Sequence, residues 1–159
     1  MKADLFLDNA ALLSSRFGIT PLLYGSLGLE VLTGAPLHAD DIDILIPEAY
    51  VSGDLWPAFR AALEDCGYVL VDAHEHTFLK DGVAYSYASL EGLRDFAGIS
   101  ISEIEIRTAP QARYMLLSLE QYLRVYQKSA QDGYRMNVKE KKDQEKIELI
   151  QSRLDDECE

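Results

Sequence analysis

Two aspartates one residue apart, Asp41 and Asp43, sit in the run Asp41-Ile42-Asp43-Ile44-Leu45-Ile46. On a strand, alternate residues face the same side, so the two carboxylates project together while Ile42, Ile44 and Ile46 point into a core. Paired like charges are tolerated where solvent screens them or a cation neutralises them. A hard divalent ion such as Mg2+ or Mn2+ suits paired Asp oxygens and takes its remaining ligands from water and phosphate. Upstream, the apolar run Pro21-Leu22-Leu23-Tyr24 stops at Gly25-Ser26. A short helix pattern of Leu27, Leu29, Val31 and Leu32 follows and closes at Gly34. Gly lets a ligand approach the backbone, and a helix N-terminus offers free N–H groups to phosphate. The combination points to metal-assisted phosphoryl or nucleotidyl transfer, with Asp41 and Asp43 as metal ligands and Gly25 and Ser26 as the phosphate cradle.

Gly-Ser, a short helix, then Asp-x-Asp on a strand resembles the signature of the nucleotidyltransferase superfamily, and most closely its lincosamide and aminoglycoside nucleotidyltransferase group. On that resemblance Glu30 matches the acidic residue within the helix, Gly34 the glycine ending it, and His38 the basic residue before Asp-x-Asp. The resemblance implies an α+β, α/β-like fold: a mixed twisted sheet flanked by helices with a helical C-terminal part. It also implies Mg-dependent transfer of a nucleoside monophosphate from an NTP to a hydroxyl of a small, antibiotic-like acceptor. Active members of the superfamily usually carry a third carboxylate on a later strand, beside the Asp pair, as general base or further metal ligand. The strand that aligns here offers Tyr85, Ser86 and Tyr87 instead. Glu103 and Glu105, in the alternating run Ile101–Arg107, are the carboxylates that could substitute. That departure motivates an alternative reading as a catalytically inactive nucleotidyltransferase-like binding module, or as a toxin–antitoxin component acting on a protein.

The elements that must position these groups are legible in the rest of the chain. Leu5, Phe6, Ala10, Leu13 and Phe17 recur at helical spacing over Asp4–Phe17, with Gly18 as a stop. Ile19–Tyr24 reads as a strand. Asp54 as N-cap and Pro57 in the first turn open a helix that Gly67 ends, with Trp56, Phe59, Ala62 and Leu63 as its apolar face. Tyr68–Val71 reads as a strand, and His74-x-His76 as an exposed strand edge with both imidazoles on one side. Asp81-Gly82 between Thr77–Lys80 and Val83–Tyr87 is a hairpin signal. Ser89–Leu93 begins a short helix or turn. Ser118-x-x-Gln121 is a capping-box pattern ahead of Leu119, Tyr122, Leu123 and Tyr126. After a break at Gln131-Asp132-Gly133, a last helix runs to about Asp155 with Ile147, Ile150 and Leu154 buried. Its Lys139, Lys142, Lys146 and Arg153 fall on one stripe that could face a triphosphate as point charges. Lys142-Asp143 with the following Ile and Leu repeat resembles a Lys-Asp segment of a late nucleotidyltransferase helix. The bland reading of this face is a solvated stripe balanced by Glu140, Asp143, Glu145 and Glu148.

At 159 residues the chain suits a single domain, 1–155, with an acidic tail at 156–159. Hydrophobic residues make up 48% and charged residues 26%, an ordinary globular balance. No apolar run reaches the length of a membrane span and no signal-peptide pattern opens the chain, so residence in the cytoplasm is expected. Cys66 and Cys158 do not make a disulfide framework, and Cys66 reads as packed. A net charge of −12 argues against binding long nucleic acid, whose affinity rests on Lys and Arg neutralising phosphates. It suits a small cationic acceptor, and it is compatible with a homodimer or a protein partner.

Overall fold

The computed structural model describes the backbone of residues 2–132 and 138–157, and the side chains of 2–130 and 143–156. Its elements run α1 (Lys2–Phe17), β1 (Leu22–Tyr24), α2 (Gly25–Thr33), β2 (Ile42–Ile46), α3 (Trp56–Asp65), β3 (Val69–Asp72), β4 (Thr77–Lys80), β5 (Val83–Ser89), α4 (Gly92–Ala97), β6 (Glu105–Thr108), β7 (Arg113–Leu116), α5 (Leu119–Asp132) and α6 (Val138–Glu157). The described residues thus form six helices and one seven-stranded sheet of order β3-β4-β5-β2-β1-β7-β6. The sheet is mixed: β2 lies antiparallel to β1 and parallel to β5, and β1 is parallel to β7.

Alternation along β2 separates two cores. Ile42, Ile44 and Ile46 are fully buried on one face, with Phe6, Ala10 and Leu13 of α1 and Phe59 and Leu63 of α3. Leu45 is buried on the other, with Leu93 of α4, Tyr122 and Val125 of α5, and Ile147 and Ile150 of α6. Helix α2 contributes to both, through Leu27 and Leu29 respectively. The second helical layer is narrower than the sheet. Val69 on β3 is 60% exposed and its partner Leu79 on β4 is 41% exposed, so the helices leave this end of that face open.

Several local expectations are met at the atomic level. Asp81 and Gly82 both take left-handed backbone in the β4–β5 turn, the conformation that a two-residue hairpin with right-handed twist requires. The capping box forms reciprocally: Ser118 N–H donates to Gln121 Oε1 at 2.9 Å, and Gln121 N–H to Ser118 Oγ at 3.2 Å. Trp56 packs in an aromatic cluster with Phe59, Phe78 and His76. Cys66 is half-buried and free.

Other expectations need correction. The strand expected over Ile101–Arg107 is broken: Ile101–Glu103 is a 3-10 turn and β6 starts at Glu105. Ile104 is buried while Ile106 is 54% exposed, because β6 is an edge strand with one unpaired side. His74 and His76 lie in a turn, not on a strand. Asp72 Oδ1 accepts from the N–H groups of His74 and Glu75, bending the chain there, and His76 takes a left-handed conformation. Leu55, not Asp54, is the N-cap of α3. The expected first strand shortens to Leu22–Tyr24. Strand β7 is not among the elements expected from the sequence; its apolar run Tyr114–Leu117 is short, and pairing with β1 and β6 makes it a strand. Helix α6 continues through Asp156 to Glu157, so the first two residues of the acidic tail belong to it; Cys158 and Glu159 lie outside the described residues.

Candidate functional site

Asp43 is the second residue of β2, paired with Tyr24 on one side and Ser86 on the other. Its side chain shares a face with Leu45 and, across the pairing, with Ser86 and Ala88. These residues floor a cleft of about 810 Å3 that opens where the helical layer stops. Tyr126, Ser129 and Asp143 line it from the α5–α6 side, and the 74–76 turn lines it from the far side. Asp41 precedes β2 and is exposed, close enough for its charge to act on Asp43.

The chain reverses at Gly25 so that β1 passes directly into α2. Gly25 takes φ +65°, and a Cβ placed there would run into the Asp43 carboxylate. The glycine is therefore required twice, for its left-handed backbone and for the approach of Asp43. Tyr24, the residue before α2, makes no side-chain hydrogen bond to the first turn. The carbonyl of Gly25 accepts from the buried Tyr122 hydroxyl at 3.1 Å, and Gly28 leaves the room that this hydroxyl occupies. The start of α2 is thus locked to α5, with the Asp43 carboxylate against it.

The electrostatics follow from this packing. Burial first, then the charge of Asp41, pushes the Asp43 carboxyl up to about 6, and Lys146 partly offsets them. The Tyr24 phenol is pushed up to about 12 by burial and by Asp43. The Tyr126 phenol is raised by burial, Tyr24, Asp143 and Asp43, and shares a hydrogen bond with Ser26. Lys146 Nζ lies 5.3 Å from the centroid of the Tyr126 ring.

Comparison with known proteins adds a relative. The chain is 39% identical over 145 residues to a Bacillus subtilis (strain 168) protein described as uncharacterized protein YnaI, covering 91% of this chain and 92% of that one. The chain belongs to the YnaI family. No protein-family model matches it, and no solved structure matches it.

The remaining sequence candidates divide. Gly25, Ser26, Asp43 and Lys146 converge around Tyr24 and Tyr126. Glu30 serves the approach to Asp41: its Oε1 accepts from the N–H groups of Leu37 at 2.9 Å and Ala39 at 3.1 Å, holding the 35–40 loop. His38 is exposed within that loop and has left-handed backbone. The structure brings neither Glu103 nor Glu105 to Asp43. Glu103 lies exposed in the 3-10 turn. Glu105 is on β6, with β7 and β1 between it and β2, three inter-strand steps or roughly 14 Å away. The side chains of Lys139 and Lys142 lie outside the described residues. Among the described residues, no three His, Cys, Asp or Glu side chains form a group that could hold a metal ion. The Asp41/Asp43 pair still fits a cation in one respect: a half-buried carboxyl raised by a neighbouring negative charge is relieved by an adjacent positive one.

Sequence reasoning named Asp143 in the Lys142-Asp143 resemblance, and otherwise as a balancing surface charge, but gave it no role at the site. It is 6% exposed, lines the cleft, and its Oδ2 accepts from Ser129 Oγ at 2.8 Å. The available signal was its position four residues before Ile147, which puts it on the buried stripe of α6.

Proposed function

We propose that the chain is a nucleotidyltransferase-like protein that transfers a nucleoside monophosphate from an NTP to a hydroxyl of a small acceptor. The observation that carries this reading is the contact between Gly25 and Asp43. It brings the start of a helix, whose N–H groups suit phosphate oxygens, against a carboxylate that suits a divalent ion. Asp41 and Asp43 would hold Mg2+ or Mn2+, which supplies charge neutralisation at the transferred phosphate when bound. Gly25 and Ser26 would bind phosphate oxygens, and Lys146 would add positive charge beside them, with Lys139 and Lys142 of the same stripe. The cleft beyond Asp43 has room for a small acceptor. Residence in the cytoplasm, where nucleotides are abundant, accords with this reading. No helix among the described residues is long and apolar enough to cross a membrane.

A second reading rests on one register position. Ser86 stands directly beside Asp43 on the parallel strand β5, where a further strand carboxylate would sit. A serine there suits a module that binds a nucleotide without turning it over. Incubation with Mg2+ and each labelled NTP, following pyrophosphate release with a lincosamide, an aminoglycoside and water as acceptors, separates the two. Release supports transfer; binding without release supports the module. Absence of metal-dependent nucleotide binding defeats both.

A further inference from the structure

The functional reading leaves unused the most buried acidic side chain among the described residues. Asp143 is on α6, 6% exposed, with one oxygen held by the Ser129 hydroxyl of α5 and its side chain on the cleft that Asp43 floors. Burying a carboxylate is costly, and helix propensity offers no reason for Asp at such a position. A residue needed only to join α5 to α6 could be apolar, as its neighbours Ile147 and Ile150 are. Tyr126 lies close to both carboxylates, and its phenol is influenced by Asp143 and by Asp43. The cleft therefore presents two carboxylates from adjacent layers of the molecule, one on the sheet and one on a helix.

We propose that Asp143 takes the proton from the acceptor hydroxyl, supplying from α6 the carboxylate that β5 does not carry. This rests on the transfer reading above. In the step, the acceptor O–H bond breaks and its proton passes to the Asp143 carboxylate. The freed oxygen pair forms a bond to the α-phosphorus of the NTP. The bond from that phosphorus to the bridging oxygen of the β-phosphate breaks, and its electron pair leaves with pyrophosphate. Asp143 then returns the proton to water. The Ser129 hydroxyl orients the carboxylate by donating to Oδ2.

The test uses the full chain with Mn2+ and the four α-labelled NTPs, offering a lincosamide, an aminoglycoside and water as acceptors. Asp143→Asn should keep nucleotide affinity and lower pyrophosphate release by about 10^2–10^4-fold. Asp143→Ala leaves a space in which added formate should restore part of the lost turnover, which a purely structural defect would not show. Ser129→Ala should lower turnover while leaving nucleotide affinity unchanged, and it decides the matter if both Asp143 variants fail to fold. Full turnover in Asp143→Asn, or loss of nucleotide binding in a folded Asp143→Asn, overturns the proposal while leaving the transfer reading in place. Asp43→Asn separates the two: undiminished metal-dependent nucleotide binding in that variant overturns the transfer reading itself. A wild type that binds nucleotide and releases no pyrophosphate with any acceptor overturns the role of Asp143 and leaves the binding module.

Discussion

Asp43 concentrates the physical tension of the molecule in one side chain. Its folded-state pKa of about 6 exceeds the unfolded value near 3.8. The native state therefore holds the extra proton between those values, and stability falls as pH rises through that window. Above it, the ionised carboxyl costs about 2–3 kcal/mol. Asp43→Asn removes the charge with little change of shape, so it should be more stable than the wild type by about that amount at pH 8 and no more stable at pH 4. Urea denaturation at both pH values measures this. The same substitution should abolish metal-dependent nucleotide binding, which calorimetry with Mn2+ and an NTP would detect. Gly25 supplies a separate residue-scale prediction. Gly25→Ala meets both a left-handed backbone and the Asp43 carboxylate, whereas Gly34→Ala meets left-handed backbone with nothing within 4 Å. The strain alone costs about 1–2 kcal/mol, so Gly34→Ala should lose about that much. Gly25→Ala should lose more and also weaken nucleotide binding.

At the scale of elements, the site depends on how α2 and its following loop are held. Glu30 reaches from the helix to two N–H groups of the loop that delivers Asp41. Glu30→Gln keeps an acceptor oxygen and should be tolerated. Glu30→Ala leaves both N–H groups without that partner, costing about 1–3 kcal/mol and loosening Asp41. The readouts are urea denaturation and the affinity for Mn2+ with nucleotide, and equal behaviour of the two variants would contradict the role given to Glu30. The capping box starts α5, which carries Tyr122 to the Gly25 carbonyl and Tyr126 to Ser26. Ser118→Ala should cost about 1 kcal/mol by urea denaturation without altering the cleft.

For the whole molecule, sheet order decides which carboxylates can cooperate. Glu105 shares a run of alternating residues with Glu103 and looks equivalent to a strand carboxylate. The order β5-β2-β1-β7-β6 sends it to the opposite edge, where Arg107 Nε lies 3.4 Å from its Oε1 in an exposed pair. Glu103→Gln and Glu105→Gln should therefore leave nucleotide binding and any pyrophosphate release unchanged, and a hundredfold loss in either would contradict this placement. The helices α4 to α6 cover only part of the face that carries Asp43, and the cleft lies at the margin of that cover. Its open side continues toward Val69 and Leu79 on β3 and β4.

The local parts of this protein were legible because they rest on short-range physics. The period of two in β2 placed Asp43 opposite the Ile core. Gly34 ended α2, Asp81-Gly82 turned the hairpin, and Ser118 with Gln121 capped α5, each through bonds or backbone preferences spanning a few residues. What depended on distant partners was not legible. Strand β7 is a strand because β1 and β6 flank it. The 101–107 run breaks because Ile104 is drawn into the second core. Asp143 stood out only through the Lys142-Asp143 resemblance, with nothing to separate it from the other charges of an acidic helix. Only the packing of α6 against α5 buries it, hands it the Ser129 hydroxyl and turns it toward the cleft above Asp43. Spacing along the chain specifies which residues share a face; which faces then meet is a property of the assembled layers.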